Sequence, residues 1–263
     1  MNLSLLGDFS LSTPRSAPPL LFYILAGFAA VVAAFVAVFV VLFLVTCLWE
    51  RQYLSGDVEP ASEPFPYPPS PYWRVTCEAA RALGLEHAGD FATRKGTSHV
   101  KGLMSLFFNR DRSVMVAISS SAAAGAKLKK TVFWTRLATG RVLESTDNPG
   151  IDDLSGVIER GVLLNADVPE LAAFHQQRVQ QSGSTPLPFN ANAALQENER
   201  IYLERGARWV LLGLARWVDP QQTSIRMTFR GASAQLARVF QQIGKLSDQH
   251  KRSHIRRAGS RGS

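Results

Sequence analysis

The chain has little cysteine: two residues among 263, of which Cys47 ends a long apolar run and Cys77 is the only one after it. A disulfide within the region that follows the run is therefore excluded. This usage is typical of a protein whose main part lies in a reducing compartment. Residues 72–263, behind the apolar run and the proline-rich stretch that follows it, are enough for one ordinary domain that folds by burying apolar surface.

The sequence also lacks recognisable motifs for catalysis, metals or cofactors. His250 and His254 are four residues apart, but they lie in a predicted disordered tail without a rigid third ligand, so we predict no metal site there. Residues 98–101 have the Ser-x-x-Lys spacing of a serine–lysine nucleophile, but they lie in a predicted loop without the companion motifs. The lysine-rich stretch after Gly125 lacks the second glycine and the Ser or Thr of a phosphate-binding loop. We predict no catalytic, metal or cofactor-binding residue and no cofactor, which favours a non-enzyme. An enzyme stays an alternative if His99, His175 or the pair Asp152 and Asp153 meet in a cleft.

Acidic residues are fewer than basic ones. The formal net charge is +8, and residues 72–263 hold 27 basic against 16 acidic side chains. A basic surface of this kind attracts anionic lipid headgroups or nucleic acid through long-range, salt-screened forces.

One long hydrophobic run is present: Leu20 to Trp49 contains no charged residue. As a helix it would reach about 45 Å, against about 30 Å for the hydrocarbon core of a bilayer. The run is too long for a cleaved signal peptide, and only Arg15 precedes it as a basic residue. We predict a single-pass transmembrane helix over 20–49, with Tyr23 and Trp49 at the two membrane interfaces.

Two further features of this helix leave alternatives open. Ala26, Ala30 and Ala34 form a small-residue stripe that would let two helices approach as a homodimer, although alanine is also simply common in membrane anchors. Residues 44–47 faintly resemble a bacterial lipid-attachment box, which leaves lipidation of Cys47 undecided.

The positive-inside rule has few charges to count here, with Arg15 on one side and Arg51 on the other. The reduced-looking Cys77 and the basic character of the following domain favour a cytoplasmic soluble part.

The chain is expected to divide into five segments. These are a polar tail over 1–19, the transmembrane helix over 20–49, an acidic and then proline-rich linker over 50–72, a soluble α+β domain over 73–246 and a basic disordered tail over 247–263. The linker is predicted to be an extended spacer of polyproline type, with a docking peptide for a proline-recognition module as the alternative.

Periodicity predicts the elements of the domain. A helix over 75–85 is followed by a four-stranded antiparallel meander over 103–108, 113–118, 131–137 and 141–146. Asp152 and Asp153 are expected to cap a helix over 154–158. Asp167 and Glu170 form a capping box that opens a helix towards Gln181. Then come a helix over 193–214, a hairpin over 215–218 and 224–229, and a final helix over 232–246.

The run from Glu204 to Ile243, with its helix, its hairpin and a further helix, resembles the second half of a winged-helix DNA-binding domain. The resemblance covers about forty residues and implies that the hairpin is the wing, with Arg216, Arg226 and Arg230 as phosphate contacts. Ordinary packing of a small sheet on helices explains the same pattern.

The last segment adds a second basic feature. It carries Lys251, Arg252, Arg256 and Arg257, which suit an anionic membrane leaflet or simply solvate the tail.

The sequence thus favours a membrane-anchored, non-enzymatic adaptor or scaffold whose domain binds a protein partner or an anionic membrane surface. The alternative is a membrane-tethered nucleic-acid-binding protein.

Overall fold

The computed structural model describes residues 20–94, 101–123, 126–148 and 153–242. The chain forms two compact units, residues 1–43 and residues 44–263, and we call the second the sheet domain. The predicted tails over 1–19 and 247–263 lie outside the described residues, and so do Lys251, Arg252, Arg256 and Arg257.

Helix α1 (Leu20–Trp49) is formed by the apolar run. Within Tyr23–Trp49, the most apolar 18 residues have a mean hydropathy of 3.2, and none of them is buried in the protein. By length and composition it is apolar enough to cross a membrane, and it is the one such helix within the described ranges.

The rest of the described chain mixes strands and helices. The strands are β1 (Gln52–Tyr53), β2 (Val58–Pro60), β3 (Glu86–Thr93), β4 (Lys101–Phe108), β5 (Met115–Ala123), β6 (Ala126–Leu137), β7 (Val142–Thr146), β8 (Ile158–Val162), β9 (Pro186–Leu187), β10 (Ala215–Trp217) and β11 (Ser224–Met227). The helices are α2 (Pro71–Ala82), α3 (Val168–Gln181), α4 (Ala194–Leu211) and α5, described over 229–242.

A large sheet contains β2 to β8 side by side in chain order, and β9 pairs with β6. Its neighbours are antiparallel except β7 and β8, which run parallel. The predicted combination of an apolar N-terminal helix with a mixed helix and sheet domain is confirmed. The expected meander corresponds to β4 to β7, which are part of this wider sheet.

Both faces of the large sheet are covered, which is why β4 ends in three consecutive buried apolar residues, Leu106, Phe107 and Phe108. Phe107 packs in one core cluster with Leu171 of α3, whereas Leu106 and Phe108 pack in another with Ile201 of α4. Alternate side chains of a strand point to opposite faces, so a run without polar alternation indicates burial on both.

The N-terminus of α3 is capped as predicted. The Asp167 carboxylate accepts from the backbone N–H of Glu170 at 2.8 Å, and the Glu170 carboxylate accepts from that of Asp167 at 3.2 Å. The capping box satisfies two amides that a helix start would otherwise leave free.

The segment 50–72 differs from the predicted spacer. It supplies β1 and β2, which pair with β11 and β3, and its last two residues begin α2. Phe65 packs edge-on against Trp73, with ring centroids 5.5 Å apart. The aromatic residues between the prolines carry enough apolar surface to pack on the sheet, so the segment belongs to the domain.

The predicted helix over 154–158 is not formed. Asp153 instead accepts from the backbone N–H of Ser155 and Ile158, and Ile158 begins β8 beside β7. Gly156 adopts φ +74 within this turn, a conformation that stops a helix. Asp152 lies outside the described residues.

A second, three-stranded sheet has the order β1-β11-β10. The predicted hairpin is present as β10 and β11, and α5 follows it. The sequence did not show that β1, 171 residues before β11, would form the third strand. Leu54, Trp209 and Ile225 are buried in a cluster beneath this sheet.

An ion pair is buried in the large sheet. Glu144 is 1% exposed and accepts from Arg160 Nε at 2.5 Å and from Trp134 Nε1 at 3.2 Å. Burial alone would raise the pKa of Glu144, but the positive charges of Lys130 and Arg160 outweigh burial and hold that pKa below its usual range.

We expect Glu144→Ala to lower the free energy of unfolding by about 3–5 kcal/mol, because it removes a buried carboxylate that accepts from both Arg160 and Trp134. Urea unfolding of the full chain in detergent, followed by tryptophan fluorescence, measures the change. The control Glu59→Ala removes one partner of an exposed pair with Arg94 and should cost under about 1 kcal/mol. Equal losses for the two variants would contradict the assignment.

Candidate functional site

The last turn of α1 belongs to the sheet domain. Only Glu50 and Arg51 separate it from β1, and the N–H of Glu50 still donates to the Thr46 carbonyl at 2.8 Å. Strand β1 pairs with β11 through Gln52 opposite Ile225. The end of the helix is therefore held beside the hairpin by backbone pairing.

Arg51 ties this connection to the turn of the hairpin. Its Nε donates to Ser224 Oγ at 2.7 Å, and its Nη2 donates to Asp219 Oδ2 at 3.2 Å. Hydrogen bonds from Ser224 and Thr223, with the charge of Arg51, lower the pKa of Asp219 to about 2. Asp219 is thus ionised at neutral pH and compensates the Arg51 charge.

Leu54 secures the segment from its other end. It is 3% exposed, and its N–H donates to the Thr223 carbonyl at 2.8 Å. A Cβ at Gly206 would collide with Leu54 Cδ1, so the glycine of α4 makes room for this side chain. The connection is accordingly packed on the domain on both sides.

An open cavity of about 530 Å³ lies where these elements meet. We call it the arginine cavity. Its wall is formed by Leu48 and Trp49 at the end of α1, Arg216 of β10, Arg226 and the buried Met227 of β11, and Thr228 and Phe229 at the start of α5. Trp49 is 74% exposed and Phe229 is 67% exposed, so two aromatic rings stand in solvent at this cavity.

The two arginines of the cavity are direct cross-strand neighbours, since Arg216 pairs with Arg226. Residues opposite each other in an antiparallel pair share a face, and like charges there destabilise the pair. Among the described residues that line the cavity there is no carboxylate. Arg226 Nε is buried and has no hydrogen-bond partner in the described part of the chain, a state that costs roughly 1–3 kcal/mol. An anion in the cavity would offset the repulsion between the two arginines.

The start of α5 adds to the positive potential. Thr228 Oγ1 accepts from the N–H of Gly231 at 3.1 Å and donates to the Gly213 carbonyl at 2.8 Å. The N–H groups of Phe229 and Arg230 are those of the first helical turn, which lack an intrahelical acceptor. The positive end of the helix dipole therefore lies at the cavity wall.

The structure brings together two of the predicted anion-binding residues, Arg216 and Arg226. Arg230 is exposed in the first turn of α5, outside the cavity wall. The four predicted basic residues of the tail lie outside the described residues. Sequence reasoning missed Leu48, Trp49 and Arg51 as neighbours of the hairpin. The charged residues Glu50 and Arg51 directly after the apolar run were the available signal that the helix ends there. The strand β11, with which the following β1 pairs, lies too far away in sequence to be recognised as its partner.

Of the four residues of the enzyme alternative, the structure describes His175 and Asp153. His175 is 1% exposed, with Nε2 2.9 Å from Thr135 Oγ1 and Nδ1 2.9 Å from Ser145 Oγ. Burial, with the charge of Arg178, lowers the pKa of His175 to about 3, so it is a neutral core residue. His99 and Asp152 lie outside the described residues. Within the described ranges no group of three or more His, Cys, Asp or Glu side chains could hold a metal ion.

A second cavity, of about 230 Å³, is bordered by Trp73, Cys77 and Asp90 among others. Asp90 accepts from Ser105 Oγ at 2.6 Å and lies 2.9 Å from His87 Nε2. A serine nucleophile needs its base next to the hydroxyl, whereas here the carboxylate stands between serine and histidine. Burial raises the pKa of Cys77 to about 11, which keeps the thiol protonated and unreactive.

His175 should make the stability of the domain depend on pH. Its folded pKa lies below that of an unfolded histidine, so stability is complete above about pH 6.5 and decreases as pH falls towards 3. The decrease should approach 1.4 kcal/mol per pH unit at most. Urea unfolding at pH 7.5 and pH 4.8 measures it, and His175→Gln should flatten the difference. A difference that survives His175→Gln would contradict the assignment.

Asp219→Asn should loosen the connection between α1 and β1, because it removes the counterion of Arg51. Trypsin should then cleave the full chain in detergent after Arg51 several-fold faster. Asp111→Asn is a matched control, since Asp111 is another turn carboxylate whose pKa is lowered by hydrogen bonds from Ser113. An unchanged cleavage rate for Asp219→Asn would show that the ion pair does not hold the connection.

The chain matches no protein-family model, and neither a curated protein nor a solved structure is significantly similar to it.

Proposed function

We propose that this protein is a single-pass membrane-anchored, non-enzymatic adaptor. Helix α1 crosses the bilayer, the sheet domain lies on the cytoplasmic side, and the arginine cavity contacts the anionic membrane surface while the remaining surface is available to a protein partner. The observation that carries the proposal is that Arg216 and Arg226 share a cavity wall with Leu48 and Trp49, the last residues of the apolar helix.

The membrane part of the proposal rests on α1. With Trp49 as an interfacial residue, the cavity that Trp49 borders lies at the depth of the headgroups. Arginine close to an anionic leaflet contributes about 1 kcal/mol per residue. The connection of only Glu50 and Arg51 leaves little length for the hairpin to move away. Ala26, Ala30 and Ala34 additionally suit a dimer of the anchored protein.

The second candidate is a membrane-tethered nucleic-acid-binding protein, supported by the resemblance of the hairpin to a wing. In that case Arg216 and Arg226 would contact phosphates of a duplex. With α1 in a bilayer, however, these arginines border the membrane-facing end of the helix, where anionic lipids repel a second polyanion. We therefore favour the membrane surface as the contact of these residues.

Cell fractionation tests the proposal. The full chain should stay in the membrane pellet after washing with alkaline carbonate and with high salt. A reporter that works only in the cytoplasm should be active when fused after Ser263, and a reporter that works only outside the cell should be inactive there. The variant Val32→Arg with Val36→Arg places two charges within the apolar helix, each costing about 2.5–3.5 kcal/mol near the bilayer centre, and should be extracted.

The control Val75→Arg adds a charge at an exposed position of α2 and should leave the protein in the pellet. Extraction of the unmodified protein, or activity of an exterior reporter, would overturn the proposed function.

A further inference from the structure

We propose that the arginine cavity is a site for one anionic phospholipid, whose headgroup phosphate lies between Arg216 and Arg226. The inference rests on the proposed function, since it takes the headgroup from the bilayer that α1 crosses. It goes further by assigning a ligand of defined chemistry and a stoichiometry of one per chain.

The positive charges around the hairpin are unevenly compensated. Arg51 has a carboxylate partner in Asp219. Arg216 and Arg226 lie opposite each other, and none of the described residues lining their cavity carries a negative charge. The hairpin thus supplies a carboxylate for Arg51 but none for Arg216 and Arg226. An external anion bound between these two arginines would compensate their charge.

The donors around the cavity suit a phosphate. Guanidinium groups bind phosphate through two parallel N–H donors, and two arginines from adjacent strands can grip one phosphate from both sides. The first-turn N–H groups of α5, behind the Thr228 cap, add donors of the type that commonly holds phosphate.

The apolar part of the cavity wall distinguishes a lipid from a free phosphate ion. The cavity wall includes Leu48, Trp49 and Phe229, whose apolar surface offers nothing to an inorganic ion. A phospholipid uses both parts, with its phosphate on the arginines and its glycerol and upper acyl chains against the apolar residues. The volume of about 530 Å³ accommodates a headgroup and leaves the chains outside.

Native mass spectrometry of the full chain in non-ionic detergent tests the site. Dioleoylphosphatidylglycerol should be retained as one molecule per chain, and dioleoylphosphatidylcholine should be retained at least about tenfold more weakly. Arg216→Gln with Arg226→Gln should lose that preference. The double variant Arg216→Lys with Arg226→Lys keeps the charge without the planar fork and should fall between the two. Unchanged circular dichroism confirms that a variant is folded.

Arg110→Gln with Arg141→Gln removes the same two charges from exposed turns of the large sheet and should retain the lipid. An equal loss in this control would reduce the effect to general surface charge and overturn the site. Binding of several lipids per chain, with no preference for a one-to-one complex, would also overturn the site. So would displacement by millimolar inorganic phosphate together with equal retention of the two lipids. A duplex DNA oligonucleotide that binds the arginines in place of the lipid would favour the nucleic-acid candidate.

Because this measurement is made in detergent, it is independent of membrane insertion in cells. A protein that is extracted by carbonate defeats the proposed function whatever it binds. A protein that stays in the membrane but shows no preference between the two lipids defeats only the site.

Discussion

The short connection between α1 and β1 constrains the rest of this molecule. Two residues are too few to form a flexible linker, and the strand that follows is immediately paired with β11. The hairpin and the start of α5 must therefore lie beside the last turn of the apolar helix. Leu54 against Gly206 and Arg51 against Asp219 hold the same arrangement through packing and through charge.

Because of this constraint, the basic side chains of the hairpin β10–β11 lie beside the last turn of α1. Of the arginines near the helix end, Arg51 is neutralised within the fold, whereas Arg216 and Arg226 face a cavity lined without carboxylates among the described residues. The large sheet behaves differently, because its buried Glu144 is matched by Arg160 and its buried His175 is neutral. The arginines of the cavity therefore differ from the paired charge in the core of the large sheet.

Local patterns predicted much of the architecture. The apolar run, the strands of the meander, the capping box at Asp167 and the hairpin each depend on residues close in sequence, where periodicity and capping chemistry act. The failures came from long-range pairing. Strand β1 is too short to show alternation, and its partner β11 lies more than 160 residues away. Ile158 was assigned to a helix because two aspartates preceded it, although the parallel neighbour β7 determines its conformation.

The candidate site was predictable only in part for the same reason. Arg216 and Arg226 stood out as basic residues of a predicted hairpin. Trp49 and Leu48 entered the site through the pairing of β1, which composition does not reveal. The resemblance to a winged-helix domain singled out Arg216, Arg226 and Arg230, and the fold places the first two beside the last turn of α1.

The depth of the cavity in a bilayer is the central claim, and spin-label collision measurements test it directly. Nitroxides would be attached at positions 49 and 229 of the full chain in anionic vesicles, in a Cys47→Ala background with the buried Cys77 left in place. Since both positions border one cavity, the account predicts equal interfacial depth for the two labels. A label at 229 that is as accessible to aqueous relaxation agents as one at the exposed Arg110 would contradict it.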